Sequence, residues 1–301
     1  MSRAPNFFVV GAVKSGTTAM CEYLSRHPDV YIPPEKELNF FGSDMDLRVP
    51  RQSWDEYLAM YFATAGAETR LGDGSVWYLY TRAAAQEIRQ RVPDARIVIM
   101  LRQPVEMLYS LHSQLLYNDD EDLTSFQDAL SAESARRDGE RLPANVTFPE
   151  QLHYRAIADY APQVERYLEV FGSDRVRVIL FDDFRRETAQ VFRDTLRFLE
   201  IDPDFTTELE VINPAKKVRF RPLQNFLLRP PPAVRWIGRK LMPGFHDRNE
   251  LRRKMLAANA GPQTRSPLDP TIRSDLLDEL RPGIRRLEDV LGKDLSSWTQ
   301  P

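Results

Sequence analysis

The sequence predicts an α/β protein with a central parallel sheet and helices on both of its faces. Three continuous apolar runs alternate with longer segments of helical periodicity, and the runs are Phe7 to Val10, Arg96 to Leu101 and Arg175 to Phe181. Strands that are covered on both faces have this composition. A loop bounded by two glycines follows the first run and leads into a helical pattern. We therefore expect four or five strands, with this loop at the carboxyl edge of the sheet.

The glycine loop, GAVKSG from Gly11 to Gly16, predicts an anion site. Backbone N–H groups of such a loop point inward, and the dipole of the following helix adds positive potential. The ATP-binding pattern G-x-x-x-x-G-K-[ST] has a lysine directly after its second glycine, where this chain has Thr17. Here the lysine is Lys14, inside the loop, which places its charge over the terminal part of the anion. The candidate anion contacts are Lys14, Ser15, Gly16, Thr17 and Thr18, and the two threonines are also expected to cap the helix.

Two patterns resemble phosphate motifs of the sulfotransferases that use 3′-phosphoadenosine 5′-phosphosulfate (PAPS). V-G-x-x-K-S-G-T-T resembles their 5′-phosphosulfate loop. I-V-I-M-L-R-x-P-x-E-x-x-x-S resembles their 3′-phosphate motif, with Arg102 and Ser110 at its two phosphate contacts. A guanidinium fork and a hydroxyl are suitable donors to a dianionic phosphate. The resemblance covers nearly the whole chain and implies a P-loop-like sulfotransferase fold.

A third segment resembles the heparan-sulfate-type branch of the same family, and the chain is identified as a bacterial-like soluble member. The pattern is R-H-P-D-V…K-E-x-x-F-F, and the resemblance implies that Glu37 is the general base. The phenylalanines Phe40 and Phe41 predict that this polar segment is pinned to the core. A solvated charged turn is the alternative interpretation of Glu37.

The chain departs from the family pattern at Gly74. Family members often carry an acidic residue, lysine, serine and proline there, whereas this chain has Asp73, Gly74, Ser75 and Val76. The resemblance therefore leaves open whether a second cation assists the sulfuryl group.

The carboxyl-terminal third contains a basic loop in which Lys217 and Arg219 are candidate nucleotide contacts, because late basic loops close over the nucleotide in this family. A solvated basic turn is an equal alternative. Residues 213–262 form a candidate lid or acceptor-side insertion. Within it, Leu227 to Pro243 mixes prolines, a tryptophan and cations, which suits a lid, an oligomer contact or a surface that touches lipid.

Composition limits the class of protein. The 301 residues are expected to form one domain, and a net charge of −3 gives no general attraction to nucleic acid. The one cysteine, Cys21, excludes an intramolecular disulfide and is expected in the core. No signal peptide or membrane span is recognised, so we expect a cytoplasmic protein.

Some smaller expectations concern individual segments. The charge runs between Asn118 and Asn145 are expected to be solvated, and His112 to be a structural helix residue. Pro162 is expected to kink or divide the helix that begins near Glu150. The carboxyl-terminal tail is expected to form two helices around Pro282-Gly283.

The predicted function is transfer of a sulfuryl group from PAPS to an acceptor hydroxyl on a carbohydrate, a lipid or a small molecule, which leaves 3′,5′-ADP. Lys14 would stabilise the leaving phosphate and Glu37 would take the acceptor proton, with no metal. A P-loop-like nucleotide kinase and a non-catalytic nucleotide-binding protein are the alternatives. The partner is an acceptor alcohol and not a nucleic acid, while membrane contact and oligomeric state stay open.

Overall fold

The computed structural model describes most of the chain. It covers residues 3–47, 51–209, 216–218, 220–228, 230–231, 234, 240, 251–252, 254–256, 258–262 and 266–300. None of the helices in these ranges has both the length and the apolar character needed to cross a bilayer.

Five parallel strands form the central sheet in the order β2-β3-β1-β4-β5, which confirms the predicted fold class. The strands are β1 (Phe7–Gly11), β2 (Val30–Tyr31), β3 (Arg70–Asp73), β4 (Arg96–Leu101) and β5 (Val176–Leu180). The chain builds one side of β1 with β2 and β3, and then crosses to the other side for β4 and β5. The order therefore reverses between β1 and β4, and the loops that follow these two strands open a crevice at the carboxyl edge.

Twelve helices are described, with three short 3₁₀ turns and a separate pair of strands. The helices are α1 (Thr17–Leu24), α2 (Trp54–Tyr61), α3 (Ala84–Arg91), α4 (Pro104–Asn118), α5 (Phe126–Ser131), α6 (Glu133–Arg137), α7 (Tyr154–Ala158), α8 (Tyr160–Phe171), α9 (Phe181–Arg186), α10 (Thr188–Phe198), α11 (Arg221–Leu228) and α12 (Pro270–Leu291). The 3₁₀ turns are Val76–Tyr78, Pro149–Leu152 and Ser296–Thr299. Antiparallel strands β6 (Lys216–Val218) and β7 (Ala260–Pro262) pair with each other.

Alternate residues of β1 enter two different hydrophobic cores. Phe8 and Val10 pack in the core that α3, α4, α8 and α12 complete. Phe7 and Val9 pack in the core on the opposite face, which α1 and α10 complete. All five residues of β1 are buried. Both faces of the sheet are thus covered by helices, which explains why the run is apolar without alternation.

The prolines act differently from the sequence-based expectation. The helix expected from residue 150 is divided at Asp159, before Pro162, which lies in the first turn of α8. A proline is tolerated there because the first N–H groups of a helix have no intrahelical acceptor. The tail forms one helix, α12, with Pro282 inside it. Buried Leu280 and Ile284 on either side of the proline hold this helix in the core, beside α8.

The charge runs between residues 118 and 145 are not merely solvated. The carboxylate of Glu121 accepts two hydrogen bonds of 2.6 Å from the guanidinium of Arg136, and both side chains are fully buried. The Tyr154 hydroxyl donates to the same carboxylate at 2.8 Å. Burial raises the pKa of Glu121, but the Arg136 guanidinium, the Leu123 N–H and the Tyr154 hydroxyl together hold that pKa below its usual range. The segment is therefore anchored by an internal ion pair.

Replacing Arg136 by leucine should strongly destabilise the protein. The substitution leaves the Glu121 carboxylate buried without its partner, and losing one member of a buried pair costs about 3–5 kcal/mol. The free energy of unfolding from urea titration measures the loss. Arg137→Leu is the matched control, because Arg137 is half exposed and its partner Glu133 keeps a 3.0 Å contact to Arg155. The control should lose no more than about 1 kcal/mol; equal losses in the two variants would contradict this account.

Candidate functional site

The glycine loop lies between β1 and α1 at the carboxyl edge of the sheet. Lys14 and Gly16 both have a left-handed backbone, with φ of 57° and 88°. The Lys14 ammonium donates to Oε1 of Gln114 on α4, at 3.1 Å. The expected threonine cap is wrong, since Gly16 is the N-cap of α1 and no side chain caps this helix. The amide end of α1 is therefore bounded by the loop itself, which suits an anion.

Phe181, which the sequence predicts as the last residue of a strand, packs against the glycine loop. Phe181 is the first residue of α9, and its ring lies 3.0 Å from the point where a Cβ on Gly16 would stand. The same ring lies 5.0 Å from the guanidinium carbon of Arg102. The backbone of Gly16 can approach the ring because glycine has no side chain. Phe181 thus packs against both predicted phosphate segments.

Arg102 directly follows β4 and faces the glycine loop. Its guanidinium lies 3.5 Å from the Lys14 carbonyl oxygen and 3.5 Å from the carboxylate of Glu106. Pro104 occupies the first turn of α4, and the Gln103 side chain caps this helix by accepting from the Glu106 N–H. These contacts fix the turn that carries Arg102.

Helices α4 and α8 each contribute a buried residue that carries a hydroxyl. Ser110, on α4, is only 2% exposed. The Tyr160 hydroxyl, at the start of α8, is buried close to Ser15 and Arg102. Burial raises the pKa of Tyr160, against the influence of Ser15 and of the Arg102 guanidinium. Tyr160 therefore lies close to both predicted phosphate segments, a placement that no local sequence pattern indicates.

Glu37 lies in the segment that leaves β2, and the end of β3 holds its carboxylate. Its Oε2 accepts from the Val76 N–H at 3.0 Å. The Asn39 N–H donates to the Ser75 hydroxyl at 3.1 Å, and the Phe40 N–H donates to the Tyr78 hydroxyl at 2.9 Å. Glu37 is accordingly positioned by main-chain and hydroxyl contacts from a neighbouring strand end.

The expectation that phenylalanines pin this segment is confirmed. Phe41 is buried in the same core as Phe8, with ring centroids 5.7 Å apart. Phe40 stacks on Tyr57 at 4.5 Å. The interpretation of Glu37 as a freely solvated turn therefore does not hold.

Asp73 is the buried acid at the centre of this arrangement. It accepts hydrogen bonds from the hydroxyls of Ser75, Tyr57 and Tyr78, at 2.6, 2.8 and 2.9 Å. Burial raises its pKa, and the three hydroxyls oppose that rise. With its oxygens engaged by three donors, Asp73 acts as a structural anchor beneath Glu37.

The environment of Glu37 suits a proton acceptor near neutral pH. Withdrawal of its carboxyl group from water raises its pKa to about 7. The positive charge of Lys36 and the Val76 N–H act in the opposite direction, and the charge of Asp73 adds to the rise. A carboxylate with a pKa close to the working pH combines availability with basicity.

His112 and Cys21 both lie in the protein interior, as the sequence predicts. His112 is buried, and its Nε2 lies 2.8 Å from the Leu123 carbonyl oxygen, so its expected structural role is supported. Cys21 is buried and its pKa is raised to about 11, chiefly by burial, which agrees with a core residue. No cluster of three or more His, Cys, Asp or Glu side chains that would suit a metal ion occurs within the described ranges.

The late basic loop is only partly described. The backbone of Lys217 belongs to β6, which lies beside α4. Arg219 lies outside the described residues, as does much of the candidate lid at 213–262, including most of the segment from Leu227 to Pro243. Among the described residues of that region, Phe220 and Phe226 are 59% and 44% exposed. The lid, oligomer and lipid interpretations all stay predictions.

Lys14 and Glu37 share an uncommon backbone conformation. Both are non-glycine residues with positive φ, 57° and 59°. The left-handed region costs an L-residue about 1 kcal/mol or more, and such outliers concentrate at functional sites. The two residues that the sequence proposes for chemistry are thus both held in this conformation.

Most of this chain is similar to known proteins. A family model described as "Sulfotransferase family" matches residues 5–206, from β1 past the end of α10. The crystal structure of a sulfotransferase from Alicyclobacillus acidocaldarius is similar, with a TM-score of 0.73 and 30% identity, over 99% of this chain and 100% of that one.

Curated relatives are similar over a shorter span. The bifunctional heparan sulfate N-deacetylase/N-sulfotransferase 1 of Caenorhabditis briggsae is 25% identical over 237 residues, which is 75% of this chain and 25% of that protein. The human bifunctional heparan sulfate N-deacetylase/N-sulfotransferase 3 is 27% identical over 213 residues, or 67% of this chain and 23% of the relative. The chain thus spans about a quarter of the length of these relatives.

The raised pKa of Glu37 predicts a pH-dependent effect of Glu37→Gln on stability. An unfolded glutamate loses its proton near pH 4.5, whereas folded Glu37 keeps it up to about pH 7. The wild-type protein therefore loses stability as the pH rises through this interval, and the loss is complete above it. Because glutamine does not ionise, the melting temperature of the variant should gain on that of the wild type between pH 4.5 and pH 8.

Glu169→Gln, at an exposed position on α8, controls for the removal of a negative charge. Melting curves of the three proteins at pH 4.5, 6 and 8 provide the measurement. A difference between Glu37→Gln and the wild type that stays constant with pH would show that the Glu37 carboxyl group is not destabilised by its surroundings.

Proposed function

The chain belongs to the sulfotransferase family, whose members are PAPS-dependent enzymes, and we propose that it transfers a sulfuryl group from PAPS to an acceptor hydroxyl with Lys14 and Glu37 as its catalytic residues. One observation carries this assignment of roles. The anion loop after β1 and Arg102 after β4 meet at the reversal of strand order, where the Arg102 guanidinium lies 3.5 Å from the Lys14 carbonyl. A 5′-phosphosulfate and a 3′-phosphate need two such cationic segments side by side.

Lys14 would act on the leaving group. The bond between sulfur and the bridging oxygen breaks, its electron pair stays on the 5′-phosphate of 3′,5′-ADP, and a new bond joins sulfur to the acceptor oxygen. The ammonium of Lys14 and the amides of Ser15 to Thr18 would stabilise the charge that grows on the bridging oxygen. Fixed donors of this kind contribute more in a site shielded from water than in solution. Ser15, Gly16, Thr17 and Thr18 are accordingly proposed as cofactor-binding residues.

Glu37 would take the proton of the acceptor. Its carboxylate accepts a hydrogen bond from the Val76 N–H, and burial raises its pKa to about 7. It can therefore hold a proton after the transfer. In-line transfer requires the base and Lys14 to flank the sulfur on opposite sides, and correct positioning of this kind is worth orders of magnitude in rate. The hydrogen bonds to Ser75 and Tyr78 would maintain that position.

Arg102, Ser110, Lys217 and Arg219 would complete the nucleotide site. Arg102 lies over the Phe181 ring and beside the glycine loop, and from there its guanidinium would bind the 3′-phosphate. Ser110 lies on α4, and the backbone of Lys217, in β6, lies beside the same helix. The absence of a metal requirement and the cytoplasmic location both stay predictions.

The acceptor has two candidate chemistries. The hydroxyl of a carbohydrate, a lipid or a small alcohol is the first. An amine is the second, because the relatives from C. briggsae and human are named N-sulfotransferases of heparan sulfate. A general base at Glu37 would serve either group. Incubation of the protein with radiolabelled PAPS and extracts of the native cell, followed by identification of the labelled product, decides between them.

The family assignment does not favour the kinase alternative. The residues of the glycine loop also argue against a kinase. A P-loop kinase would have its lysine at position 17 and would bind ATP with Mg²⁺. A non-catalytic nucleotide-binding protein would bind PAPS without turnover, which the labelled-PAPS experiment would also reveal.

The two phosphate segments predict a specific ligand preference. We expect 3′,5′-ADP to raise the melting temperature without Mg²⁺, and ATP or 5′-AMP to raise it far less. Arg102→Ala should remove most of this discrimination, since a hydrogen bond to a charged group is worth about 1.5–3 kcal/mol. Thermal shift and calorimetric titration measure both effects.

Arg96→Ala is a matched control at the opposite end of β4. Arg96 also lies over a phenylalanine ring, that of Phe198, at 5.3 Å, and is also paired with a glutamate, Glu200. The control should keep the preference for 3′,5′-ADP. Equal stabilisation of the wild type by ATP and 3′,5′-ADP would refute the nucleotide assignment.

Substitutions of Lys14 and of Glu37 should have different effects on nucleotide binding and on turnover. Lys14→Ala should weaken nucleotide binding and slow transfer, because Lys14 belongs to the anion loop. Glu37→Gln should leave nucleotide affinity nearly unchanged while turnover falls by roughly 10²- to 10⁴-fold, the usual range for a lost general base. Calorimetry and initial rates with the identified acceptor provide the two readouts. A Glu37→Gln enzyme with wild-type turnover would exclude Glu37 as the base.

A further inference from the structure

A second lysine lies at the glycine loop. Lys36 directly precedes Glu37, and its ammonium donates a 2.6 Å hydrogen bond to the Thr18 hydroxyl in the first turn of α1. The Lys14 ammonium is held by another element, through Gln114 on α4. Two ammonium groups, supported by different helices, therefore serve one anion loop. Lys36 is also the cation nearest in sequence to the proposed base.

Two opposite electrostatic effects act on Lys36, because the neighbouring Glu37 carboxylate attracts its ammonium and the amino end of α1 repels it. The amino end of a helix carries a partial positive charge, which disfavours a cation in its first turn. An anion bound at the loop would reverse this effect. The side chain of Lys36 is exposed, so burial does not confine it to that place. The contact with Thr18 thus puts a positive charge where a bound anion would use it.

The end of β3 carries no cation at position 74, where Gly74 leaves little room for a side chain. A Cβ at Gly74 would lie 2.9 Å from the sulfur of Cys21, which is itself buried. A side chain at position 74 would therefore require that sulfur to shift. Lys36 approaches the loop from the neighbouring strand end instead.

We propose that Lys36 is a further catalytic residue, which contacts the non-bridging oxygens of the sulfuryl group during transfer. The inference rests on the proposed function, because it assumes PAPS at the glycine loop. The two lysines would then have different roles. Lys14 acts on the bridging oxygen that leaves with 3′,5′-ADP, and Lys36 acts on the sulfuryl group that is transferred.

The test compares two ligands that differ by the sulfuryl group. Lys36→Met should weaken PAPS binding about tenfold or more, the equivalent of one charge-assisted contact, and change the affinity for 3′,5′-ADP less than about twofold. Lys36→Arg, which keeps the charge, should retain most of the preference for PAPS. Lys14→Ala should weaken both ligands, and Lys293→Met, at an exposed position near the carboxyl terminus, should weaken neither. Equilibrium titration without acceptor gives all these constants.

The outcomes separate this inference from the proposed function. A wild-type protein that binds neither ligand contradicts the function itself. Normal binding by the wild type, with equal losses of both ligands in Lys36→Met, overturns the role of Lys36 at the sulfuryl group. PAPS affinity that is unchanged in this variant, with a pH–rate profile displaced to higher pH, overturns it too and makes Lys36 a positioning residue for Glu37. A selective loss of PAPS supports the contact.

Discussion

The parallel alignment of five strands is the constraint on which the site depends. Because all the strands run the same way, the segments that follow them reach one edge of the sheet. Each strand contributes one part there: the Lys14 loop follows β1, Glu37 follows β2, the Val76 amide follows β3, Arg102 follows β4 and Phe181 follows β5. The burial of β1 between two cores fixes the middle of this edge. The proposed chemistry and the stability of the fold therefore depend on the same strands.

The candidate site contains cationic and acidic side chains, and different interactions hold the two groups in place. The cationic segments are held by packing, with the Phe181 ring between Gly16 and Arg102. The acidic side is held by hydrogen bonds, with Asp73 beneath Glu37 and three hydroxyls on Asp73. In the proposed reaction, this separation would allow the Glu37 carboxyl group to change protonation state while the anion loop keeps its geometry.

The sequence predicted the parts of the fold that depend on neighbouring residues. Continuous apolar runs identified β1, β4 and β5, and the glycine spacing identified the loop, because both are local patterns. Contacts between distant segments left no such pattern. The Phe181 ring against Gly16, the Gln114 amide on Lys14 and the bond between Lys36 and Thr18 join residues 18 to 165 positions apart. The buried pair of Glu121 and Arg136 was missed because charge runs of the same composition are usually exposed.

The left-handed backbone of Lys14 and Glu37 has an evolutionary consequence. Glycine or asparagine would occupy these two positions with less strain, so selection for stability alone would replace both residues. The chemical roles proposed for their side chains would oppose that drift. In a descendant of this gene that had lost its activity, these two codons would then be among the first to change, while the buried residues of β1 would persist. Positions 14 and 37 could thus serve as markers that distinguish working copies from relics that still fold.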